Sequence, residues 1–289
     1  MSRPTAFAQA AIGIGFLCGV DVLIKVIARL DVPVPVITFG RYFTGTIVSL
    51  ALWLAAGRPA ITRAMLPAHL LRGVFIAIMA SLFFWSLTKL PLAEAVTLSF
   101  FAPLLVPALG AMFLGEPMRG RSVAAGLIGF LGVIVTTQGA PSFSGDRLLA
   151  VGAVLVAGAA YAGSIVIMRA RSGQDGPQVV TLLGAVIPLL LLSPTVVGAA
   201  LPPPAALGWF VALGLVSTAG MQLLSYAYAK IEAQVLAVME FTALPWAALF
   251  GWAVFGEPVR LQVWAGAAII LAACVWAGRE AAPAEVTAE

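Results

Sequence analysis

The chain has 289 residues, of which 62% are hydrophobic and only 10% are charged, and it carries a net charge of +4. Soluble domains are about half apolar and a quarter charged, so this composition excludes a water-soluble globular protein and indicates a chain solvated by lipid. The basic residues are scattered and form no patch, which argues against a nucleic-acid partner. Cys18 and Cys274 each lie in an apolar segment and predict helix-packing residues, not a disulfide or metal site.

Ten segments are apolar enough to cross about 30 Å of hydrocarbon as helices of roughly 20 residues. In chain order they span residues 6–28, 34–56, 70–88, 92–114, 122–139, 148–169, 177–198, 206–229, 233–255 and 262–278. Turn-forming residues separate them. The first segment is too long for the core of a signal peptide, so we expect it to be retained as a span. The sequence therefore predicts an all-α membrane protein with ten transmembrane helices.

The chain repeats itself with an offset of 141 residues. Lys89 stands 26 positions before Gly115-Glu116-Pro117, and Lys230 stands 26 positions before Gly256-Glu257-Pro258. In each motif we expect the glycine to end one helix and the proline to begin the next, in a tight hairpin without further chemistry. The same offset relates Gly73 to Gly214, Ala102 to Ala243, Gly110 to Gly251 and Arg119 to Arg260. Internal symmetry of this kind in a membrane protein is typical of alternating-access transporters.

We predict two five-helix repeats, residues 1–143 and residues 144–289. Five spans is an odd number, so the second copy starts from the opposite side of the membrane and the repeat is inverted. Lysine and arginine mark the cytoplasmic side, and ten against five of them favour cytoplasmic N- and C-termini. The ten inner residues are Arg3, Arg58, Arg63, Arg72, Arg119, Arg121, Arg169, Arg171, Lys230 and Arg279.

Matched prolines indicate where a substrate would bind. Inverted repeats place the site near mid-membrane, in helices interrupted at corresponding positions. Pro103 lies in the fourth span and Pro245 in the ninth, and their positions in the two repeats match to within one residue. Each proline frees a backbone carbonyl, which in lipid must be buried in protein or face a wet cavity. We predict that these two spans form the site; a packing kink without ligand contact is the alternative.

Charged residues within spans are the second indication of a site, because each costs at least about 2.5–3.5 kcal/mol at the centre of a helix unless it is paired or wet. Asp21 and Arg41 lie at similar depths in the first two spans, which permits an ion pair between them. Lys25 competes for Asp21 on the same helix face. A polar wall on the outer half of a cavity is the alternative to a structural ion pair.

Glu240 lies inside the ninth span, and its counterpart in the first repeat is Ser99. An unpaired carboxylate there would bind a cation, such as a substrate ammonium, or remain protonated. The alternative is a carboxylate satisfied by the backbone or by Lys230. Glu240 is also the residue that we name for proton coupling, although passive flux would suffice for overflow export.

Aromatic residues cluster around these positions. Aromatic side chains near helix ends belong by default to the interfacial belt, whereas the deeper ones suit a cavity for apolar or aromatic solutes. The candidate substrate-binding residues are Glu240, Ser99, Trp85, Phe101, Pro103, Tyr161, Ser164, Tyr226, Phe241, Pro245 and Trp246.

Several chemistries lack their motifs. No phosphate-binding Gly-x-x-x-x-Gly-Lys-Ser/Thr loop is present, so ATP does not drive the process through this chain, and we predict neither a cofactor nor a metal site. The single histidine, His69, heads the third span, and we expect it to be solvated. No His-Glu-x-x-His, Gly-x-Ser-x-Gly or paired carboxylates support a membrane enzyme, which stays a remote alternative beside a receptor or structural protein.

The ten spans, the two five-helix repeats and the Gly-Glu-Pro that ends the fourth helix of each repeat resemble the EamA-type members of the drug/metabolite transporter superfamily. The resemblance covers nearly the whole chain, and the doubled motif is its most specific element. Within the superfamily the chain is most similar to the YddG-type exporters of aromatic and other amino acids. The resemblance implies a bacterial inner-membrane exporter with cytoplasmic termini and a central cavity lined mainly by spans 1, 3, 4, 6, 8 and 9.

Together these features predict a secondary transporter or facilitator that exports small organic solutes, most simply amino acids, by alternating access. Its partners would be a small-molecule substrate and the lipid bilayer, and we expect a monomer or a weak homo-oligomer. Two other transporter classes remain open. A multidrug or quaternary-amine exporter would hold its cation over deep aromatic rings, and a nucleotide-sugar or purine carrier would need a basic cavity, which the sequence does not reveal.

Overall fold

The computed structural model describes residues 3–87, 89, 95, 98–116, 120–136, 145–256, 264–266, 268–269, 272–273 and 275–276. The regular structure of these residues is all helical. The α-helices are α1 (Arg3–Ala28), α2 (Val34–Ala55), α3 (Leu66–Leu87), α4 (Phe101–Leu114), α5 (Gly120–Thr136), α6 (Gly145–Asp175), α7 (Pro177–Leu192), α8 (Pro204–Tyr228), α9 (Ala233–Met239) and α10 (Ala243–Phe255). Two short 3-10 helices, Ser193–Val196 and Glu240–Thr242, follow α7 and α9.

Within the described residues, seven helical segments are long and apolar enough to cross a membrane. They are Thr5–Ala28, Val34–Ala55, Leu66–Leu87, Leu148–Asp175, Pro177–Val196, Pro204–Tyr228 and Val235–Val254. These coincide with predicted spans 1, 2, 3, 6, 7, 8 and 9, and the shorter apolar helix Leu105–Leu114 lies in predicted span 4. The all-helical, multi-pass architecture is confirmed. The tenth predicted span, 262–278, is described only at residues 264–266, 268–269, 272–273 and 275–276, so the count of ten spans and the inverted arrangement stay predictions.

Two of the predicted spans are interrupted. Predicted span 9 consists of α9 and α10, joined by the 3-10 helix Glu240–Thr242. In the first half, residue 100 is a turn between helical residues 98–99 and α4. Pro103 and Pro245 are each the third residue of the helix that follows the interruption. The N–H groups of a first helical turn have no intrahelical acceptor, so each proline begins a new helix instead of kinking a continuous one.

The repeated Gly-Glu-Pro motifs end two helices in the same way. Gly115 after α4 and Gly256 after α10 both adopt the left-handed conformation, with φ 66° in each case and ψ 17° and 19°. This confirms the predicted glycine stop, while the two prolines lie outside the described residues. The Glu116 carboxylate also forms contacts that the sequence did not indicate. It accepts hydrogen bonds from Arg169 Nε (2.9 Å) and from the backbone N–H of Ala233 (3.2 Å), which link α4, α6 and the start of α9.

The main packing contacts join the two halves of the chain. The most extensive are α1 against α8 and α3 against α6, which are equivalent pairs under the repeat offset. Gly73 of α3 packs against Ile187 of α7, and Gly214 of α8 packs against Thr44 of α2, and a Cβ at either glycine would overlap its neighbour. The duplicated glycines therefore mark equivalent helix crossings, where only the smallest residue allows the backbones to approach so closely.

Two residues that the sequence placed at the inner surface are buried instead. His69, expected to be solvated, is 1% exposed, and its Nε2 lies 2.9 Å from Oδ2 of Asp175. Asp175 also accepts hydrogen bonds from Arg171 Nε and Nη2 at 2.7 and 2.6 Å. Arg72, counted among the inner loop charges, is likewise 1% exposed. Both corrections have one cause: α3 begins at Leu66, before the predicted start at residue 70, so both side chains lie on a packed helix.

Candidate functional site

A cavity of about 190 Å³ lies at the centre of the bundle, among α1, α2, α3, α4, α6 and the interrupted segment between α9 and α10. Most of its wall is apolar. Within the described part of the chain, four charged side chains line it: Asp21, Arg41, Arg72 and Glu240. An apolar chamber with a few convergent polar groups is the usual form of a small-molecule site.

Glu240 is positioned by the interruption of the ninth span. It is the first residue of the 3-10 helix, where the chain changes from α9 to α10. The hydroxyl of Tyr161 on α6 donates to the carboxylate, 3.2 Å from each oxygen, and the hydroxyl of Tyr228 on α8 lies 3.5 Å from Oε1. No basic side chain of the described residues lies within 4 Å of it, and Lys230 is exposed. The carboxylate is therefore oriented by two neutral donors and available to a ligand cation.

Asp21 and Arg41 face the same cavity without forming a direct ion pair. Among the described residues, no lysine or arginine nitrogen lies within 4 Å of the Asp21 carboxylate. The Arg41 guanidinium instead lies over the rings of Tyr42 and Phe84, 5.2 and 5.3 Å from their centroids. These are cation–π distances. Of the two alternatives that the sequence left open, this geometry favours a polar wall over a structural pair, and Lys25 is not part of the lining.

Arg72 is a cavity residue that the sequence did not identify. Its Nη1 donates to the carbonyl of Val180 (2.8 Å), and its Nη2 contacts Met168 Sδ (3.4 Å). Its Nε is buried without a hydrogen-bond partner in the described part of the chain. Pro67 could have indicated this burial from the sequence. Proline favours the first turn of a helix, so a third span that begins near Pro67 carries Arg72 inside the helix, where neighbouring helices can bury it.

The structure divides the other predicted site residues into two groups. The predicted residues that line the cavity are Asp21, Arg41, Ser99, Pro103, Tyr161, Ser164 and Glu240. Those that lie elsewhere are Lys25, Trp85, Tyr226, Phe241, Pro245 and Trp246. The backbone of Phe101 begins α4, and its side chain falls outside the described structure.

Three of the residues outside the cavity have clear packing roles. Trp246 donates its indole N–H to the carbonyl of Ala11 (3.1 Å) and packs on Gly15, which joins α10 to α1. Tyr226 accepts a hydrogen bond from the amide of Gln178 (2.7 Å). Phe241 is 1% exposed and buried between helices. These aromatic residues lie outside the cavity and stabilise the packing of the helices that form its wall.

Tyr228 connects the cavity with one end of the bundle. Its hydroxyl points to Glu240, and its backbone carbonyl accepts a hydrogen bond from Arg169 Nη1 at 2.9 Å. The same arginine forms the ion pair with Glu116 at 2.9 Å. Movement of α8 at Tyr228 would therefore disturb both the cavity carboxylate and the contacts that hold α4, α6 and α9 together.

Comparison of the sequence with known proteins identifies membrane transporters as its relatives. The family model described as "EamA-like transporter family" matches residues 8–138 and again residues 148–279. The pseudopaline exporter of Pseudomonas aeruginosa is 29% identical over 86% of this chain and 87% of its own length. The riboflavin transporter of Brucella anthropi is 24% identical over 87% and 90%. A crystal structure described only as that of a protein superposes with a TM-score of 0.79 and 20% identity over 96% of this chain and 99% of its own.

Proposed function

Because the chain belongs to the EamA-like transporter family, a family of membrane transporters, we propose that it is a secondary transporter or facilitator that exports small amino-bearing solutes, most simply amino acids. The proposal rests on the surroundings of the Glu240 carboxylate. This carboxylate is held by the hydroxyls of Tyr161 and Tyr228, faces an apolar chamber and lacks a basic partner among the described residues. A substrate ammonium would supply the missing positive charge, and the apolar wall would accept an aliphatic or aromatic side chain.

Alternating access would use the pseudo-symmetry of the two halves. The interruptions at residue 100 and at Glu240–Thr242 lie at equivalent positions, and the main packing contacts pair helices of one half with helices of the other. These features support two inverted halves, residues 1–143 and 144–289, that rock around the central chamber. The ion pair between Arg169 and Glu116 is one contact that such rocking would break.

Export from the bacterial cytoplasm, across the inner membrane and with both termini cytoplasmic, is the direction that we propose. The relatives do not share one direction or one cargo: one is named an exporter and another a riboflavin transporter. Support for export comes from the pseudopaline exporter, and support for the orientation comes from the excess of lysine and arginine in the predicted inner loops. Fluorescent and phosphatase reporters fused to each terminus test the orientation.

The cavity charges also separate this proposal from the two other transporter classes. A quaternary-amine exporter would need cation-binding groups alone, whereas the chamber holds two guanidinium groups beside its two carboxylates. Asp21 and Glu240 in the same cavity would repel strongly anionic solutes, which disfavours a nucleotide-sugar or purine carrier. A balanced set of charges favours a solute that carries both signs.

Counterflow in proteoliposomes tests the proposed function. Liposomes loaded with unlabelled L-leucine or L-phenylalanine should accumulate the labelled amino acid, and Glu240→Gln should slow this exchange by about tenfold or more, because it replaces the charge that pairs with the ammonium. Asp31→Asn is the matched control, since it makes the same exchange at an exposed turn whose left-handed φ of 57° asparagine tolerates. Exchange of tetraethylammonium or riboflavin without any exchange of amino acids would reject the proposal.

A further inference from the structure

A small side pocket adjoins the central cavity between α2, α3, α7 and α8. It has a volume of about 30 Å³, and Arg41, Tyr42, Arg72, Gly184 and Met221 line both spaces. The rest of its wall includes three hydroxyl-bearing residues: Thr181, Ser217 and Thr218. The pocket is therefore a polar recess that opens off an apolar chamber.

Two guanidinium groups line this pocket without a direct ion pair to any described carboxylate. Among the described residues, no carboxylate oxygen lies within 4 Å of the guanidinium of Arg41 or Arg72. Arg72 is 1% exposed, and no described group forms a hydrogen bond with its Nε. Removing a cation from water costs several kcal/mol unless an opposite charge compensates. An anion in the pocket would therefore compensate Arg72, which has no direct ion-pair partner among the described residues.

A second unpartnered donor lies in the same pocket. Tyr42 is 6% exposed, and its hydroxyl is buried without a hydrogen-bond partner among the described residues. The hydroxyls of Ser217 and Thr218, by contrast, donate to the backbone carbonyls of Gly214 (3.2 Å) and Gly45 (3.3 Å), so they make the wall polar without competing for the anion. The donors left for a ligand are thus Arg72 Nε, the Arg41 guanidinium and the Tyr42 hydroxyl.

The shape of the pocket limits the size of the anion. A volume of about 30 Å³ holds one or two waters, or a flat group of comparable size. A carboxylate has that size, and its two oxygens match the fork of a guanidinium. We infer that this pocket binds the carboxylate of the transported solute, with Arg72, Arg41 and Tyr42 as its anchors, while Glu240 receives the amine. The inference rests on the proposed function and narrows its substrate class to zwitterions.

The internal repeat provides an independent argument. Residues that build the fold recur in both halves, as Gly73 and Gly214 do. The pocket residues do not: the offset of 141 relates Arg41 to Leu182, Tyr42 to Leu183 and Arg72 to Leu213, and in the adjoining cavity it relates Glu240 to Ser99. The equivalent positions carry no charged side chain, so the repeated fold does not require charges there. Their presence in one half only is expected of groups that serve a ligand.

Thermal shift with matched ligands on the purified full-length protein tests this inference. L-leucine carries both charges, leucinamide lacks the carboxylate, and sodium acetate and sodium chloride probe the pocket alone. We expect wild type to bind leucine about tenfold or more tightly than leucinamide, since a charge-assisted contact is lost. Tyr42→Phe and Arg72→Lys should reduce this preference severalfold, while Arg63→Gln, at an exposed turn, should retain it. Tyr42→Phe removes only the hydroxyl and keeps the packing of the ring, so it still tests the pocket if Arg72→Lys fails to fold.

The four ligands separate the possible failures. Acetate binding that depends on Tyr42, without binding of any amino acid, would support the carboxylate pocket and reject the proposed function. Equal binding of leucine and leucinamide, with chloride binding that depends on Tyr42, would assign the pocket to a free inorganic anion and overturn the inference. A preference for leucine that is unchanged in both Tyr42→Phe and Arg72→Lys would overturn it as well.

Discussion

The rings of Phe100 and Phe241 pack against each other in the interior, with their centroids 5.2 Å apart and their planes tilted by 35°. These two residues are equivalent under the repeat offset of 141, and each lies at the interruption of its helix. They are 3% and 1% exposed. Contact between two equivalent residues is expected where a pseudo-two-fold axis passes, so this pair supports the proposal that the two halves are related by such an axis.

A double-mutant cycle on this pair should show strong coupling. Phe100→Leu and Phe241→Leu each keep an apolar side chain but remove a ring, and we expect a coupling of about 0.5–1.5 kcal/mol in the free energy of unfolding. Denaturation in dodecyl sulfate, followed by circular dichroism, measures it. Phe39 and Phe43, neighbours on α2 with centroids 6.2 Å apart, are the control pair. Additive effects at Phe100 and Phe241 would show that the two halves do not depend on this contact.

Alanine at either duplicated glycine should destabilise the protein. The Cβ of Gly73→Ala would overlap the Ile187 side chain, and that of Gly214→Ala would lie 2.6 Å from Thr44 Cβ, both on stiff β-branched residues. We expect each change to cost about 1–3 kcal/mol in the free energy of unfolding, as overpacking does. Gly208→Ala, on the same helix as Gly214 but with no atom within 4 Å of the added Cβ, should leave stability equal or higher. Equal melting of all three variants would contradict the assigned crossings.

The two helix-ending glycines predict a graded series. Gly115 and Gly256 have φ of 66°, where an alanine costs about 1–2 kcal/mol and an asparagine less. Melting temperatures should therefore fall in the order glycine, asparagine, alanine at both positions. Gly152→Ala, inside α6 with open space around its Cβ, provides the comparison. A reversed order would mean that the left-handed ends are not maintained in the membrane.

Tyr228 and Tyr226 offer a matched test of the site, because they lie two residues apart on α8. Tyr228→Phe removes a donor to Glu240 and should weaken amino-acid binding by about two- to tenfold, as the loss of one hydrogen bond does. Tyr226→Phe removes a hydroxyl that is bonded only to Gln178 among the described groups, and it should leave affinity unchanged. Binding of labelled leucine in detergent measures both. The prediction fails if the two variants lose affinity equally.

The buried His69 and Asp175 pair, which does not line the cavity, predicts an effect on stability. Asp175→Asn would weaken its contacts with His69 and with Arg171, and we expect a loss of about 1–3 kcal/mol in the free energy of unfolding. Asp31→Asn, the same change on an exposed turn, is the control. Transport per folded molecule should be the same in both variants, since neither residue lines the cavity. An unaltered melting temperature in Asp175→Asn would remove any structural role for this contact.

Several features of this protein could be predicted from the sequence because they depend on local chemistry. Hydrophobic composition determines the solvent, the length of apolar segments determines where helices can span, and glycine alone adopts the left-handed helix end without penalty. Glu240 was identifiable for the same reason, since a lone carboxylate in an apolar segment is costly wherever it points. Matched prolines indicated the interruptions, although the structure places each proline just after its break.

Other features were decided by tertiary structure. Successive helical residues are about 100° apart around the axis, so Tyr226 and Tyr228 face different neighbours. The sequence analysis named Tyr226 as a site residue, whereas Tyr228 is the one whose hydroxyl faces Glu240. The sequence predicted Arg72 to be a charge at the inner surface, whereas in the structure contacts with α6 and α7 bury it. The sequence by itself determined a lipid-solvated, internally repeated helical chain; only packing between the halves decided which charges share a chamber, because side-chain direction depends on where each helix begins and what it packs against.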